Sequence, residues 1–404
     1  MRRRKGGVLG PKLRAFGVSP FAPLPTARFA ALCFGVWLQT CAAAAQTISA
    51  PDAVANGSDA GSGPANGTAA AQAVTAVSPP SMGRAGMMST QNTMSQIQQL
   101  AQDEIEAKDG ASVNGAIASI HQYAFQNNLS VFTLSGVSRL RHDGLMISTP
   151  YDTSQGPAFE VETYSLTAGA RWDGSETLGL APKTMIFGGF GNYAFSDVTI
   201  GDDSKPALAD GSIRTYSVGG YGLLNRKPFY LLGIASYSWG ATDIITASRR
   251  VQYDPDSTGF YLSANAGALL PMTGGLSLDL RVGVSFGSGE VGDYSDNTGY
   301  FYETSVMEET VGSVSAKIFS QHQWDNTTLR PFAQAGLSHR LDSENEITIN
   351  GTPFAYDDAD VSVFGRVGVD IDYKGFQSYV AVKGERSSDR EAISGQVGIT
   401  WKFD

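Results

Sequence analysis

Four histidines and one glycine-rich segment are the residues of this chain whose types could support catalysis or cofactor binding. The histidines are widely separated and lack the spacing of metal ligands: His121, His142, His322 and His339. The segment Gly287–Gly292 has the glycine spacing of a dinucleotide-binding fingerprint, but a polar loop follows it where a helix is required. The pair His142-Asp143 is the only candidate for an acid–base site, and an exposed chance pair explains it better. We therefore predict no enzymatic activity, no metal and no cofactor.

A second set of reactive side chains lies within runs that alternate between apolar and polar residues. In residues 276–286 the apolar side chains take even positions, whereas Asp279 and Arg281 take odd ones. Alternation with period two predicts a β-strand with one apolar and one polar face. Charges on the polar faces could form ion pairs between strands, or a charged wall that holds a helix or filters solutes. They are Arg171, Asp279, Arg281, Arg330, Arg340, Arg366, Asp370, Asp372, Lys383 and Glu385.

The last of about twelve such runs, residues 391–403, ends in aromatic residues. Its apolar odd positions are Ile393, Val397, Ile399, Trp401 and Phe403. An amphipathic strand with an aromatic end is typical of a membrane barrel that carries an aromatic girdle at the lipid interface. A strand of a soluble β-sandwich shares the alternation, so the connections must distinguish the two folds.

Short and long connections alternate along the chain. The tight turns are Asn225–Lys227, Met272–Gly274, Asp325–Thr327 and Lys374–Gly375. The longer polar segments are Asp143–Pro157, Asp197–Asp210, Gly289–Tyr300 and Asp342–Ala359. Outer-membrane barrels have short periplasmic turns and long outer loops, whereas a sandwich gives no reason for this alternation. The sequence therefore predicts an all-β, antiparallel transmembrane barrel of about twelve strands over residues 127–404.

The composition fits a membrane barrel and argues against a nucleic-acid-binding protein. Charged residues make up 17% of the chain, which contains 47 glycines, and a mean hydropathy near zero is expected where apolar and polar faces alternate. The formal net charge is -10, and basic residues are sparse after the N-terminus. Because nucleic-acid binding depends on basic side chains that neutralise phosphates, we exclude nucleic acid as a partner.

The N-terminal 45 residues have the features of a secretory signal peptide. Several basic residues precede an apolar run from Phe29 to Leu38, and small residues lead to a cleavage site after Ala45. Lipidation of Cys41 is an alternative that the bulky Thr40 before it disfavours. Residues 46–89 are rich in Ala, Gly, Ser, Asn and Pro, which predicts a disordered linker or a short passenger.

Residues 90–126 change to helix-forming composition. Met94, Ile97, Leu100, Ala101 and Ile105 recur at intervals of three and four, which predicts an amphipathic helix. It could pack elsewhere, but we favour a position inside the barrel, where its Gln, Asn and Ser side chains would meet a polar wall. A barrel of about twelve strands is wide enough for one helix.

Together these features resemble the translocator domain of bacterial autotransporters. Similar local stretches are Tyr221–Leu224 before Pro228–Tyr230, Gly275–Leu278 and Leu329–Gly336. The resemblance implies an outer-membrane barrel surrounded by lipid, with its long loops at the cell surface and a helix that threads the pore to deliver an N-terminal passenger. It also implies that periplasmic chaperones and the barrel assembly machinery recognise the terminal strand with Ile399, Trp401 and Phe403, although Asp404 departs from the usual aromatic ending.

We consider three functional hypotheses, of which the first follows from this resemblance. The first is a non-catalytic barrel that anchors in the outer membrane and translocates or displays a short N-terminal segment. Some members cut their passenger at an Asn-Asn pair in the helix; here Asn127-Asn128 adjoins the first strand, where a turn is the competing interpretation. The second is a channel plugged by the helix. The third is an adhesin whose loops near Tyr294–Tyr302 and Asn345–Tyr356 bind a ligand on host or neighbouring cells.

Overall fold

Twelve long strands form the body of the protein. The computed structural model describes residues 90–91, 93–101, 128–148, 153–201, 208–246, 252–253, 256–295, 299, 301–303, 305–357, 361–373 and 376–402. The strands are β1 Leu129–His142, β2 Phe159–Asp173, β3 Met185–Ile200, β4 Ala209–Arg226, β5 Phe229–Thr246, β6 Asp256–Pro271, β7 Leu276–Val291, β8 Ser305–Ser320, β9 Thr327–Ile349, β10 Val361–Tyr373, β11 Phe376–Arg386 and β12 Arg390–Lys402. Helix α1, residues 93–101, precedes them.

The twelve strands close into a barrel. Each pairs antiparallel with the next, and β1 pairs with β12 from Ser130↔Lys402 to His142↔Arg390. Because the number of strands is even, β1 begins and β12 ends at the same end of the barrel, which we call the turn end; the opposite end is the loop end. The predicted fold, an antiparallel closed barrel of about twelve strands preceded by a helix, is confirmed.

The outer surface of the barrel is apolar over a band of membrane thickness. Ile393 and Val397 of β12 are 57% and 43% exposed, whereas Ser394 between them faces inward and is 9% exposed. On β5 the outward positions run from Phe229 to Trp239, about ten residues, which at ~3.3 Å per residue and a tilt of ~40° span about 25 Å. A band of this height matches the hydrocarbon region that outer-membrane barrels cross.

Aromatic side chains border this band at both ends. Near the loop end, the Tyr216 ring lies 5.3 Å from Tyr193 and 6.2 Å from Trp239 on the neighbouring strands. At the turn end, Trp401 packs edge-on against Phe376 with ring centroids 5.5 Å apart. Amphipathic rings are favoured at lipid–water interfaces, so these belts position the barrel along the membrane normal.

The prediction of a long polar loop over Asp342–Ala359 is wrong. β9 continues to Ile349 and pairs with a further strand, Thr352–Asp357. Asn350 and Gly351 between them have φ of 49° and 78°, as the favoured Asn-Gly hairpin turn requires. The hairpin forms because Ile347, Ile349 and Tyr356 alternate with polar residues and bury against the loop end of the barrel.

Residues of the first long loop extend this hairpin. Segment Asp143–Pro157, also predicted as a loop, contains strands Met146–Ser148 and Thr153–Gln155, and the first of these pairs with Thr352–Asp357. Tyr302 and Tyr356 are 0% and 7% exposed in the resulting apolar cluster. Burial, and secondarily the nearby Tyr302, raises the pKa of Tyr356, so this side chain stays neutral in the cluster.

The remaining elements are short. They are strands Gln252–Tyr253, Tyr294–Ser295, Phe301–Tyr302 and His322–Trp324 and a 3-10 turn at Thr273–Gly275. One connection at the turn end, residues 174–184 between β2 and β3, is longer than the predicted alternation of lengths implies. In the part of the chain described above, no helix is long and apolar enough to cross a membrane. The predicted signal peptide, the linker and helix residues 102–126 lie outside the described residues.

Candidate functional site

Helix α1 occupies the lumen of the barrel and packs its apolar face on the wall. Met94, Ile97 and Leu100 are 0%, 0% and 3% exposed. They share a buried cluster with inward-facing side chains that include Phe132 of β1 and Phe332 of β9. Because residues three and four apart lie on one face of a helix, this spacing gives α1 a continuous apolar side.

Polar contacts join the helical segment to three other parts of the wall. Gln96 Nε2 donates to Ser165 Oγ of β2 at 3.1 Å, and Gln98 Nε2 donates to Ser263 Oγ of β6 at 3.3 Å. Gln91 Nε2 donates to a carboxylate oxygen of Glu309 on β8. These strands are distributed around the ring, so a helix that contacts all of them stands within the lumen.

The helix has a definite direction. Thr90 and Gln91 lie beside Thr242, Ser257 and Val291, which belong to the loop ends of β5, β6 and β7. Leu100 lies beside Arg330, Asp370 and Thr400, near the turn ends of β9, β10 and β12. The chain therefore enters the lumen at the loop end and descends toward the turn end.

Gly136 of β1 provides the space in which Gln96 lies. A Cβ atom at position 136 would approach Gln96 Nε2 to 2.3 Å and Ser165 Oγ to 3.2 Å. Real Cβ atoms do not approach other atoms so closely, so a larger residue here would displace the Gln96 side chain from its contact with the wall. The glycine thus serves the close approach of helix and strand.

Near the turn end, one group of buried charges surrounds Asp279. Arg281 Nη2 donates to Asp279 Oδ2 at 2.6 Å, and the Tyr230 hydroxyl donates to Asp279 Oδ1 at 2.8 Å. Lys317 of β8 lies directly opposite Asp279 in the register, and its Nζ is 4.1 Å from the centre of the Phe332 ring. Ion pairing and a cation–π contact hold these charges away from lipid.

A second group lies at the turn ends of neighbouring strands. Arg330 and Asp370 are directly opposite each other on β9 and β10, and they are 3% and 2% exposed. Arg171 Nη2 donates to Gln377 Oε1 at 3.3 Å, and Gln377 Nε2 donates to Asp372 Oδ2 at 2.9 Å. Gln377 thereby connects a predicted lumenal arginine with a predicted lumenal aspartate.

A third group lies toward the loop end. Arg340 Nε is 3.6 Å from Glu309 Oε2, the same carboxylate that accepts from Gln91. Glu385 is bound by two cations, Lys383 Nζ at 2.7 Å and Arg390 Nη2 at 3.0 Å. The ten charges predicted on the polar faces all lie on the inner face, although they divide into separate groups and do not form one site.

Several residues of these groups were not predicted from the sequence. Glu309, Lys317 and Arg390 also project inward, and Tyr230 links two charges, yet none was predicted to lie in the lumen. Lys317 could have been found, because it continues the inward odd positions Ser313 and Ser315 of the same strand. Tyr230 and Gln91 carry no charge pattern that would mark them.

The histidine of the pair His142-Asp143 is buried and not exposed as predicted, and its Nε2 lies 3.8 Å from Asp389 Oδ2. His142 is 1% exposed, stacks on Phe159 at 4.8 Å and accepts a hydrogen bond from the Gly144 N–H at its Nδ1. The ring is thus a packed part of the loop end. The described residues include no group of three or more His, Cys, Asp or Glu side chains that could hold a metal ion.

Comparison with known families decides the assignment. A family model described as Autotransporter beta-domain matches residues 148–383, more than half of the chain. The chain belongs to the autotransporter β-domain family. No curated protein matches it in sequence.

Two solved autotransporter barrels have a similar fold. The translocator domain of NalP from Neisseria meningitidis is 16% identical, with a TM-score of 0.55, and the match covers 78% of this chain and 98% of that one. The β-domain of the Bordetella autotransporter BrkA is 15% identical, with a TM-score of 0.53, and covers 68% and 100%. At this identity the likeness concerns the fold.

Membership of the autotransporter β-domain family orients the barrel. The protein is a bacterial outer-membrane barrel, so its turn end faces the periplasm and its loop end faces the cell surface.

On the terminal strand β12, Trp401 is 47% exposed on the outer face and Ile399 shares that face, while Phe403 lies outside the described residues. Asn128 lies in a turn before β1, where its carbonyl accepts from the Asp173 N–H at 2.9 Å. Ala45 and Asn127 are outside the described residues.

Proposed function

We propose that this barrel carries its own N-terminal segment across the outer membrane and holds it at the cell surface. The direction of α1 supports this proposal most strongly. Thr90 and Gln91, just before α1, lie at the loop end beside Thr242 and Val291, and Leu100 near the end of α1 lies beside Asp370. A chain that enters the lumen from the outside must have its preceding segment on the outside, so residues 46–89 would be displayed.

The barrel acts in this proposal without catalysis. The buried charges point inward, because charges turned toward lipid would cost about 2–4 kcal/mol each near the midplane. In the lumen they would hold α1 and keep the inner wall hydrated. Ile399, Trp401 and Phe403 would present the terminal strand to the barrel assembly machinery after periplasmic chaperones deliver the chain. Asn128 would act as a turn residue, and cleavage after Asn127 would not be required for display.

Protease treatment of intact cells tests display. An epitope tag placed directly after Gln46 should be removed by protease added outside, while the barrel remains protected. A tag that survives on intact cells and is lost only after the outer membrane is opened would place the segment in the periplasm and contradict the proposal. The same tag on a periplasmic protein checks that the membrane is intact.

A plugged channel is a second candidate function, and the position of α1 within the lumen favours it. Contacts from Gln96 to β2 and from Gln98 to β6 hold α1 against two parts of the wall that lie four strands apart. If the helix is the plug, removal of residues 90–101 should raise single-channel conductance severalfold in planar bilayers. Removal of twelve linker residues, 47–58, is the matched control and should leave conductance unchanged; equal conductance of both variants would reject the plug.

The adhesin hypothesis gains no support from the loop tyrosines that suggested it. Tyr302 and Tyr356 are buried, and Tyr294 stacks on Tyr302 with ring centroids 4.4 Å apart. These side chains stabilise the loop end and are not displayed to a ligand. Any adhesive surface would have to use other residues of these loops.

A further inference from the structure

A small sheet crosses the loop end of the barrel, and we call it the cap sheet. It joins parts of three connections to residues 346–349 at the end of β9. Its strands, in spatial order, are Tyr294–Ser295, Phe301–Tyr302, the end of β9, Thr352–Asp357, Met146–Ser148 and Thr153–Gln155. The cap sheet therefore links the β7–β8 connection to the β1–β2 connection through the hairpin of β9.

The cap sheet reaches the side of the barrel mouth that lies opposite β9. Its side chains Ile347 and Ile349 share one buried apolar cluster with inward-facing Val198 and Ile200 of β3 and Ile213 of β4. Five strands, β10, β11, β12, β1 and β2, separate β9 from β3 in the ring of twelve. An extension of β9 that packs on β3 and β4 must therefore pass over the mouth of the lumen.

A β-bulge in β9 lies where the strand leaves the barrel wall. In the register with β8, Arg340 pairs with Val311 and Asp342 pairs with Thr310, so Leu341 between them has no partner. A bulge of one residue bends its strand and shifts the alternation of side chains. Arg340 before the bulge and Ile347 after it both face inward, although one position is even and the other is odd.

The N-terminal chain meets the barrel at a part of the mouth that the apolar cluster does not cover. Among the described residues, those of the cluster come from β1 to β4 and from the cap sheet, and none comes from β5 to β8. Thr90 and Gln91 lie beside Thr242, Ser257 and Val291 of β5, β6 and β7. Gly259 and Gly289, which are directly opposite each other on β6 and β7, border the same place. Their lack of side chains leaves room for a close approach of backbone.

We propose that the cap sheet is a lid that closes the mouth of the lumen from β9 across to β1–β4. Helix α1 leaves a polar cavity of about 180 Å³ between itself and β6–β12, so the helix alone does not fill the lumen. The lid adds a second barrier to solutes at the cell surface. The part of the mouth beside β5–β7 stays open for the N-terminal segment; this consequence rests on the proposed display, whereas the lid does not.

Single-channel conductance of the full-length barrel in planar bilayers, with potassium chloride as the probe, tests the lid. Tyr302→Ser removes a ring that is 0% exposed and leaves a cavity in the apolar cluster, so the lid should open and the conductance should rise severalfold. Phe301→Ser is the matched control, since Phe301 is the neighbouring residue and is 42% exposed, and it should leave the conductance unchanged. Both variants keep α1, so a difference between them does not come from the helix.

A reversible cross-link distinguishes an open lid from a damaged barrel. Ser148 and Ala355 are direct partners in the cap sheet, and such partners have the Cα spacing that a disulfide requires. Cysteines at these two positions, with Cys33 and Cys41 replaced by serine, would join the β1–β2 connection to the hairpin of β9. In the Tyr302→Ser variant this disulfide should return the conductance to its natural value, and dithiothreitol should raise it again.

Equal conductance of Tyr302→Ser and Phe301→Ser, or a raised conductance that the disulfide does not lower, would overturn the lid. Gel mobility before and after heating verifies folding, and Ile349→Ser, with the same expected rise, replaces a Tyr302→Ser variant that does not fold. Protease on intact cells should remove a tag after Gln46 whether the disulfide is formed or reduced. A tag protected only by the disulfide would contradict the opening beside β5–β7, and a tag protected in both states would contradict display and leave the lid standing.

Discussion

Asp279→Ala should reduce the free energy of unfolding by about 3–5 kcal/mol, because it leaves a buried cation without its carboxylate. Asp279 is 3% exposed and binds Arg281 at 2.6 Å and the Tyr230 hydroxyl at 2.8 Å. Lys317 on the neighbouring strand faces the same carboxylate in the register. Removal of this one acid therefore affects two cations and a tyrosine.

An exposed pair of similar geometry provides the control. Glu160 Oε1 lies 2.7 Å from Arg139 Nε on the outer face, where the Arg139 side chain is 58% exposed. Because solvent screens such a pair, Glu160→Ala should cost only about 0–1 kcal/mol. Urea unfolding in lipid vesicles, followed by tryptophan fluorescence, compares the two variants. A loss of stability for Asp279→Ala within 1 kcal/mol of that for Glu160→Ala would show that the buried group does not depend on its carboxylate.

Val282→Arg should destabilise the barrel by about 2–4 kcal/mol, because it places a charge near the bilayer midplane. Val282 is 56% exposed and lies midway along β7, on the outward face between Leu280 and Val284. A soluble β-sandwich would tolerate an exposed charge at this position. The substitution therefore tests the membrane-facing assignment of the whole outer band.

The same substitution near the membrane surface is the matched control for depth. Val306, 42% exposed, is opposite Glu290 near the loop end of the barrel. Val306→Arg should cost about 0–1 kcal/mol, since the penalty for a cation falls toward the interface. Unfolding titrations in vesicles of one lipid composition measure both variants. Equal costs at the two positions would be incompatible with the proposed membrane depth.

Much of the barrel could be predicted from alternation alone. Period two determines which side chains share a face, so Asp279 and Arg281 of β7 were predicted on the polar side before any strand pairing was known. The direction of that face followed from the cost of charge in lipid. Local pattern and burial agree here, which is why the prediction of strands and faces was successful.

The loop end shows what the sequence pattern did not reveal. The segment that contains Ile347, Ile349 and Tyr356 was predicted as a loop because its Asn, Asp and Glu content suggested a solvated connection. Its hairpin depends on burial against Tyr302 and Ile147, which are distant in sequence. The Asn350-Gly351 turn was the available signal, since this dipeptide between alternating residues is typical of a hairpin.

The sequence predicted which charged residues face the lumen, but it did not predict which of them lie next to each other. Each predicted lumenal charge could be assigned to a face, but the partners depend on the stagger between strands. Arg366 meets Lys383 and Arg330 meets Asp370 only through the register of β9, β10 and β11. No pattern within one strand contains that information, so the grouping of these charges could not be inferred before the structure.

Thiol cross-linking tests the central claim, that α1 lies in the lumen of the barrel with its described faces against the wall. Both cysteines of the chain, Cys33 and Cys41, would be replaced by serine. Pairs of cysteines then replace Gln96 with Ser165, and Gln98 with Ser263, which are in contact at 3.1 and 3.3 Å. Positions two apart on a helix point in nearly opposite directions, so the swapped pairs, Gln96 with Ser263 and Gln98 with Ser165, are the controls.

A short bismaleimide added to the folded barrel should join the two matched pairs and leave the two swapped pairs unlinked. That result would fix the helix inside the lumen, with Gln96 against β2 and Gln98 against β6. Cross-linking of the swapped pairs as efficiently as the matched ones, or of no pair at all, would contradict the account.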